Sequence, residues 1–311
     1  MFERPFKLIG VISLLIILLI FCHSGSPLLA VQLVLPGVPV YHWQYGCAPT
    51  SGGMLLGYWD ARGYDLIAGD ISATDSAAAL DAIASTGHVA DYWGDPDPLA
   101  QNHVNDSLAD FMGTSVGGGT ADGSTSSANV VPGLENFAAW DDPSTGGINE
   151  SYLFDAAIFW TIQAWPGFGT FNFSLFKSEI DALRPVLLGG MVPGGGHMVI
   201  GYGYDDPDNV PDSGDEKFAV HDTWYDGVLP GSPSDQLGAT ISGGVEWWPW
   251  KQTQIGNYWI EAGVTFLPLG APPGVPEPAE WVMLLIITIV LAVWHKGLFI
   301  QSESSHGGIR F

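Results

Sequence analysis

Outside the N-terminal apolar run that holds Cys22, the chain has one cysteine, Cys47, in the stretch Trp43-Gln44-Tyr45-Gly46-Cys47-Ala48-Pro49-Thr50-Ser51-Gly52. A glycine-marked turn precedes the thiol and a helix-compatible stretch follows it, so Cys47 is expected in the first turn of a helix. The positive end of the helix dipole and the free backbone N–H groups there favour the thiolate, the form that attacks a carbonyl carbon. A lone cysteine cannot staple the chain to itself. Taken alone, its commoner reading is a small buried apolar residue, so its partners must decide.

A cysteine nucleophile needs a base to deprotonate it and a third group to orient that base. Between the two chain ends lie five histidines: His42, His88, His103, His197 and His221. His197 follows Gly194-Gly195-Gly196 and opens the alternating run Met198-Val199-Ile200-Gly201-Tyr202-Gly203-Tyr204. The glycines leave room for a substrate backbone, and a strand gives the imidazole a fixed direction. The next strand carries Val220-His221-Asp222-Thr223-Trp224. Successive strand residues face opposite ways, so only one of His221 and Asp222 can face His197. A hairpin folded about the acidic loop near residue 210 brings Asp222 to the sheet end that holds His197. Asp222 is then the expected orienting group, bonded to one imidazole nitrogen while the other serves the thiol. His221 is expected in the core or on the surface.

The elements that must position these groups follow a helices-then-strands order. Leu33 to Tyr45 reads as an extended entry segment. From Pro49 a helix is expected, with Met54, Leu55 and Tyr58 on one face. Ser76 to Ser85 and Val104 to Phe111 read as further helices, and Gly113 to Val131 as a loop rich in Gly, Ser and Thr. Asn149 to Ala164 and Asn172 to Leu183 read as helices. Val186 to Met191, His197 to Tyr204, Lys217 to Trp224 and Trp259 to Phe266 are short apolar or alternating runs typical of an antiparallel sheet. The expected class is α+β, with an N-terminal helical part carrying the cysteine helix packed on a C-terminal antiparallel sheet.

The chain of 311 residues carries a formal net charge of −24. The terminal segments contribute four basic residues (Arg4, Lys7, Lys296, Arg310) and four acidic ones (Glu3, Glu277, Glu280, Glu303), so the whole excess lies between them. Such a surface repels nucleic acid and anionic lipid, which excludes a nucleic-acid partner. Arg4 and Lys7 precede the uncharged run Leu8 to Phe21, the layout of a secretory signal spanning residues 1–30, with an uncleaved anchor as the alternative. Residues 31–270 are long enough for one well-buried domain. Near the C-terminus, Val275-Pro276-Glu277-Pro278 precedes an apolar run from Trp281 to Trp294, then His295 and Lys296. This order resembles the bacterial PEP-type C-terminal sorting signal. It implies that residues 271–300 are a sorting signal and membrane helix handled by an exosortase, followed by a polar tail, 301–311. A plain membrane anchor is the alternative. The implied location is exported: periplasmic, outer surface or extracellular matrix, with membrane anchoring at least transient.

Gly-Cys-x-Pro-Thr-Ser ahead of a helix, Gly-His ahead of an alternating strand, and Asp-Thr-Trp on the next strand together resemble the papain-like cysteine peptidase superfamily. The nearest branch is the bacteriocin-leader-peptidase-like group and its exported bacterial relatives, and Ala109-Asp110-Phe111-Met112-Gly113-Thr114-Ser115 is similar to a phrase in those relatives. The resemblance spans about Pro36 to Phe266. It implies Cys47 as nucleophile, His197 as general base and acid, Asp222 as orienting group, and Trp224 as a shield over the His197–Asp222 contact. The family's oxyanion glutamine lies about six residues before the cysteine, where this chain has Tyr41. Gln44, three residues before Cys47, is carried as the donor, with Tyr41 as the alternative.

The expected activity is therefore that of an exported cysteine peptidase-like hydrolase acting on peptide bonds of a peptide or protein substrate. The same triad would also serve an acyl or peptidyl transferase, and loss of the oxyanion donor would leave an inactive surface or matrix protein of the same fold. No cofactor is expected. The acidic loop Asp205 to Glu216 offers oxygens to calcium, but it lacks EF-hand spacing and holds two prolines, so a solvated hairpin tip is the favoured reading and no metal is assigned. Scattered histidines and one cysteine give no zinc spacing.

Overall fold

The structure is a computed structural model that describes residues 32–67, 76–94, 103–115, 123–140, 152–161, 170–192, 195–210, 213–223, 245–250 and 259–270. The expected terminal signal, sorting segment and polar tail, and Trp224, lie outside the described residues. Among the described residues no helix is long and apolar enough to cross a membrane.

The chain folds as α+β. Its helices are α1 (Cys47–Trp59), α2 (Ala77–Ile83), α3 (Thr86–Gly94), α4 (Leu108–Phe111), α5 (Ser127–Ala138) and α6 (Phe173–Asp181), with a π-helical turn, Asp60–Tyr64, closing α1. Its strands are β1 (Gln32–Val34), β2 (Phe154–Trp160), β3 (Val186–Val192), β4 (Gly195–Asp205), β5 (Lys217–His221), β6 (Glu246–Pro249) and β7 (Trp259–Pro268). They form one antiparallel sheet in the order β2-β7-β3-β4-β5-β6, and β1 pairs with Gly203–Asp205 of β4, beyond the stretch that β3 occupies.

Helix α1 is the hinge of the architecture, packing on β3 and β4 and also against α2, α4 and α5. Every residue from Ala48 to Trp59 is buried, so the expected single apolar face is corrected to burial all round. Glycine inside a helix costs about 1 kcal/mol relative to alanine, yet close approach demands it here. A Cβ on Gly53 would lie 2.4 Å from Ile83 Cγ1 of α2, and one on Gly52 would lie 3.0 Å from Leu108 and Met112. Pro49 falls in the first turn, where its missing N–H breaks no helical bond.

Several expectations are corrected. Residues 154–160 form strand β2 and not part of a helix from 149 to 164. The run Asp155-Ala156-Ala157-Ile158 has helical character, but β7 offers seven consecutive antiparallel partners, and Phe154 stacks on Phe266 at 4.2 Å. Non-local pairing has overridden local propensity. The helix expected over Val104 to Phe111 shrinks to the single turn α4, which starts at a capping box between Ser107 and Asp110. The loop expected to reach Val131 gives way to α5 at Ser127. Strand β5 ends at His221, so Asp222 sits just past it. The helices near Ser76 to Ser85 and Asn172 to Leu183, and the strands β3, β4 and β7, stand where expected to within a few residues. Ser76 and Asn172 cap their helices through side-chain oxygens on Ala79 N–H (3.1 Å) and Leu175 N–H (2.9 Å).

Candidate active site

The turn before α1 is built to aim one thiol. Tyr45 has φ 50° and Gly46 φ 154°. A side chain on Gly46 would come within 2.9 Å of the Gly123 carbonyl and 3.0 Å of Pro49, so only glycine fits. Thr50, fully buried, locks the turn. Its Oγ1 donates to the Gly46 carbonyl (2.7 Å) and accepts from the Gln44 backbone N–H (2.9 Å). Cys47 thereby becomes the first residue of α1, half-buried and with its thiol free of any disulfide.

Strand β4 passes beside this helix end and delivers His197, 3 % exposed, to the sulfur. The thiol lies beside His197 and near the backbone N–H groups of Ala48 and Met198, all of which favour its charged form. Ala48 belongs to the first helical turn, where N–H groups have no intrahelical acceptor. On the far side of the ring, His197 Nε2 lies 2.8 Å from Asp222 Oδ1, both side chains fully buried, which leaves Nδ1 as the nitrogen that serves Cys47. Asp222 is held by the end of β5 and by Thr223, whose Oγ1 donates to the Met198 carbonyl at 3.4 Å. Ile200 pairs with His221, and Asp222 follows at the end of the sheet where His197 lies, as expected of the hairpin.

Burial alone would push the Cys47 thiol up. The His197 bond and charge and the two backbone N–H groups outweigh it and hold the thiol below its ordinary value. Burial would likewise push His197 down, but the Asp222 hydrogen bond, followed by the bond and charge of Cys47, lifts it to about 9. Both shifts favour one state, a thiolate beside an imidazolium, which is a nucleophile paired with a proton donor.

The two oxyanion candidates part company. Tyr41 is fully buried, and its hydroxyl packs against Gly57, ten residues along α1 from Cys47 and so roughly 15 Å away. That alternative is corrected. Gln44 lies half-buried in the turn just ahead of Cys47, its main chain pinned by Thr50. His221 is a core-type histidine: its ring stacks on Tyr202 at 4.0 Å and burial pushes it down to about 4, so it stays neutral.

A second histidine–carboxylate group escaped the reading of the sequence. Asp110 Oδ1 accepts from His88 Nδ1 (2.8 Å) and meets His103 Nε2 (3.1 Å). Its Oδ2 accepts from Ser107 Oγ (2.6 Å), Ser107 N–H (3.0 Å) and Asp106 N–H (3.2 Å). It ties α3 and the preceding loop to α4, which packs on α1. The spacing Ser107-x-x-Asp110, a capping-box pattern, was the signal that would have found it.

The model of the Peptidase_C39 like family matches residues 31–230, which is 200 of the 311 residues and includes Cys47, His197 and Asp222. A search of curated proteins finds no match.

Proposed function

This chain belongs to the Peptidase_C39 like family, within the papain-like cysteine peptidase superfamily, and from that premise we propose that it is an exported cysteine peptidase working through Cys47, His197 and Asp222. The observation that carries the reading is the buried imidazole of His197, bonded through Nε2 to Asp222 Oδ1 at 2.8 Å with Cys47 at its other side.

In this mechanism the Cys47 thiolate attacks the scissile carbonyl carbon, forming a C–S bond and an oxyanion. The Cys47 backbone N–H and the Gln44 amide stabilise that oxyanion, each such donor being worth about a hundredfold or more in rate. The imidazolium of His197 hands its Nδ1 proton to the leaving amine as the C–N bond breaks. His197, now neutral, takes a proton from water, whose oxygen attacks the thioester and releases the carboxylate, restoring the ion pair. Asp222 holds the ring in the required tautomer throughout.

The bacteriocin-leader-peptidase-like branch is the reading we favour, with a peptide or protein as substrate. The terminal motifs support export, processing by exosortase-type sorting machinery, and transient attachment to the membrane through 271–300, leaving the enzyme periplasmic, on the outer surface or in the extracellular matrix. An active-site-directed electrophile offered to wild type, Cys47→Ala and His197→Ala tests the proposal. Labelling of wild type at pH 6–7, absent in Cys47→Ala and lost in His197→Ala, is expected; equal labelling of wild type and His197→Ala would overturn it.

A further inference from the structure

Strand β2 pairs with β7 along its whole length, from Trp160 opposite Ala262 to Phe154 opposite Pro268. The ladder runs one step further, because the Leu269 N–H donates to the Leu153 carbonyl at 2.9 Å. Leu153 and Leu269 therefore stand opposite each other, and Leu267, two residues back on β7, shares the face of Leu269. All three are exposed, Leu153 at 69 %, Leu269 at 62 % and Leu267 at 39 %. Phe154 and Phe266 occupy the alternate positions and stack in the core. Asp155, opposite Leu267 and also exposed, bounds the group. The other exposed large apolar residues among those described, Val104, Leu183, Val210 and Val245, stand on separate segments. Single exposed leucines are ordinary, whereas three that adjoin across a ladder mark a contact surface.

The course of the chain bears on what this surface meets. Tyr64 Oη donates to the Gly270 carbonyl at 2.7 Å, which fixes the chain one residue past Leu269. Ten residues, 271–280, then separate Gly270 from the apolar run Trp281 to Trp294. Ten residues reach at most about 36 Å, so a run held in a bilayer keeps this corner of the sheet close to the lipid. The net charge of −24 opposes anionic lipid, and the bilayer that suits the corner is zwitterionic. The catalytic row lies elsewhere. Gly190 pairs with His197 on one side and with Ile260 on the other, and Ile260 stands at the opposite end of β7 from Leu267, about 20 Å away at the rise of a strand.

We propose that Leu153, Leu267 and Leu269 form a membrane-contact surface that seats the domain on a zwitterionic bilayer, with Cys47 and His197 at the far end of the sheet. The proposal rests on the reading of residues 271–300 as a membrane attachment. It gives the enzyme substrates in the aqueous phase beside the membrane and not segments buried within it.

The full-length chain is reconstituted with phosphatidylcholine vesicles, floated on a density gradient and irradiated, with Leu267 or Leu269 replaced by the photo-reactive benzoylphenylalanine and Val104 so replaced as the control. Lipid adducts are expected from positions 267 and 269 and not from 104. With the same probe in place of Asp155, adducts should fall several-fold when Leu153→Ser, Leu267→Ser and Leu269→Ser are combined, while flotation and the rate of Cys47 alkylation stay as in wild type. Flotation without lipid adducts at 267 and 269, equal adducts from 104, or adducts to a second copy or to residues 281–294 overturns the contact and leaves the attachment standing. Failure to float removes the attachment and the contact together. Cys47 alkylation reads the peptidase proposal separately from both.

Discussion

Cys47 and His197 meet across the boundary between the two layers, the thiol at the first residue of the buried helix α1 and the imidazole three residues into β4. Neither element could supply the pair alone. The ion pair proposed for them should set the pH range of the proposed activity. It requires a pH above the depressed value of Cys47 and below the His197 value of about 9. The rate of alkylation of Cys47 should therefore already be high well below pH 8.5, the ordinary cysteine value. Peptidase kcat/KM should hold a plateau and fall with an alkaline midpoint near 9. A thiol titrating at 8.5 or above would refute the ion pair.

His197 contributes to stability with a definite sign. The folded value of His197, about 9, lies above its unfolded value of 6.5, so its contribution is complete below pH 6.5 and is lost as pH rises through 9. Cys47, held below its ordinary value, contributes with the opposite sign over the same range and offsets this loss in wild type. Cys47→Ala removes that offset, so whatever elevation His197 keeps through Asp222 should show as a melting temperature that falls as pH rises above 6.5, and a flat profile in that variant would count against it.

Asp222 bears on the ring from its other side. Asp222→Ala removes the bond to Nε2 and leaves that nitrogen buried, so His197 should titrate nearer 6.5 and the alkaline limb of kcat/KM should move down with it. A rate loss of about a hundredfold or more is expected. Asp222→Asn keeps an acceptor and should retain more activity than alanine. The relevant measurements are the pH–rate profile and the His197 ring resonances against pH.

Asp110 gives an acid-side counterpart. Burial alone would raise it, but the His88 and Ser107 bonds hold it at about 2, below its ordinary 3.8. A depressed carboxylate stabilises the fold above its unfolded value and loses that contribution as pH falls through about 2. Asp110→Asn should lower stability at pH 7 by roughly 2 kcal/mol and flatten the acid limb of a Tm against pH curve, with thiol reactivity at pH 7 largely kept.

How far the sequence reveals this arrangement depends on the range of the interactions. The three groups in the row were legible because each stands beside a local signal: glycine before Cys47, glycine before His197, and strand alternation that separates His221 from Asp222. Residues 154–160 misled because Ala156-Ala157 suits a helix, and the seven pairings to β7 that make them a strand lie more than a hundred residues away. Tyr41 was an alternative by counting positions, yet side-chain packing sends its hydroxyl to Gly57. Asp110 was missed because its partner His88 lies 22 residues back, on a helix with no strong periodic signal.

Close packing of α1 predicts a cost for the mildest of changes. Alanine favours a helix over glycine by about 1 kcal/mol, but at Gly53 the added methyl would meet Ile83 Cγ1 at 2.4 Å and Cδ1 at 2.5 Å. Overpacking of this kind costs about 1–3 kcal/mol, so Gly53→Ala should be destabilised on balance in denaturant unfolding. Gly53→Ala combined with Ile83→Ala should be destabilised by less than the sum of the two single changes, since Ile83→Ala removes the colliding atoms. A stabilised Gly53→Ala would mean that α1 and α2 do not pack as closely as described.

Thr50 links stability to turnover through the turn itself. Its buried Oγ1 holds both the Gln44 N–H and the Gly46 carbonyl, the main-chain groups on either side of Tyr45, whose φ of 50° has no glycine to ease it. Thr50→Val keeps the shape and removes both bonds; the Gly46 carbonyl keeps the Thr50 backbone N–H at 3.2 Å while the Gln44 N–H loses its acceptor, at a cost of about 1–3 kcal/mol. Thr50→Ser retains the hydroxyl and should restore most of the loss. If the turn also aims Gln44 at the oxyanion, Thr50→Val should lower kcat more than it raises KM, while the Cys47 alkylation profile against pH shifts little, because His197 still faces the thiol. An unchanged kcat in a measurably destabilised Thr50→Val would separate the two roles and remove Gln44 from the reaction.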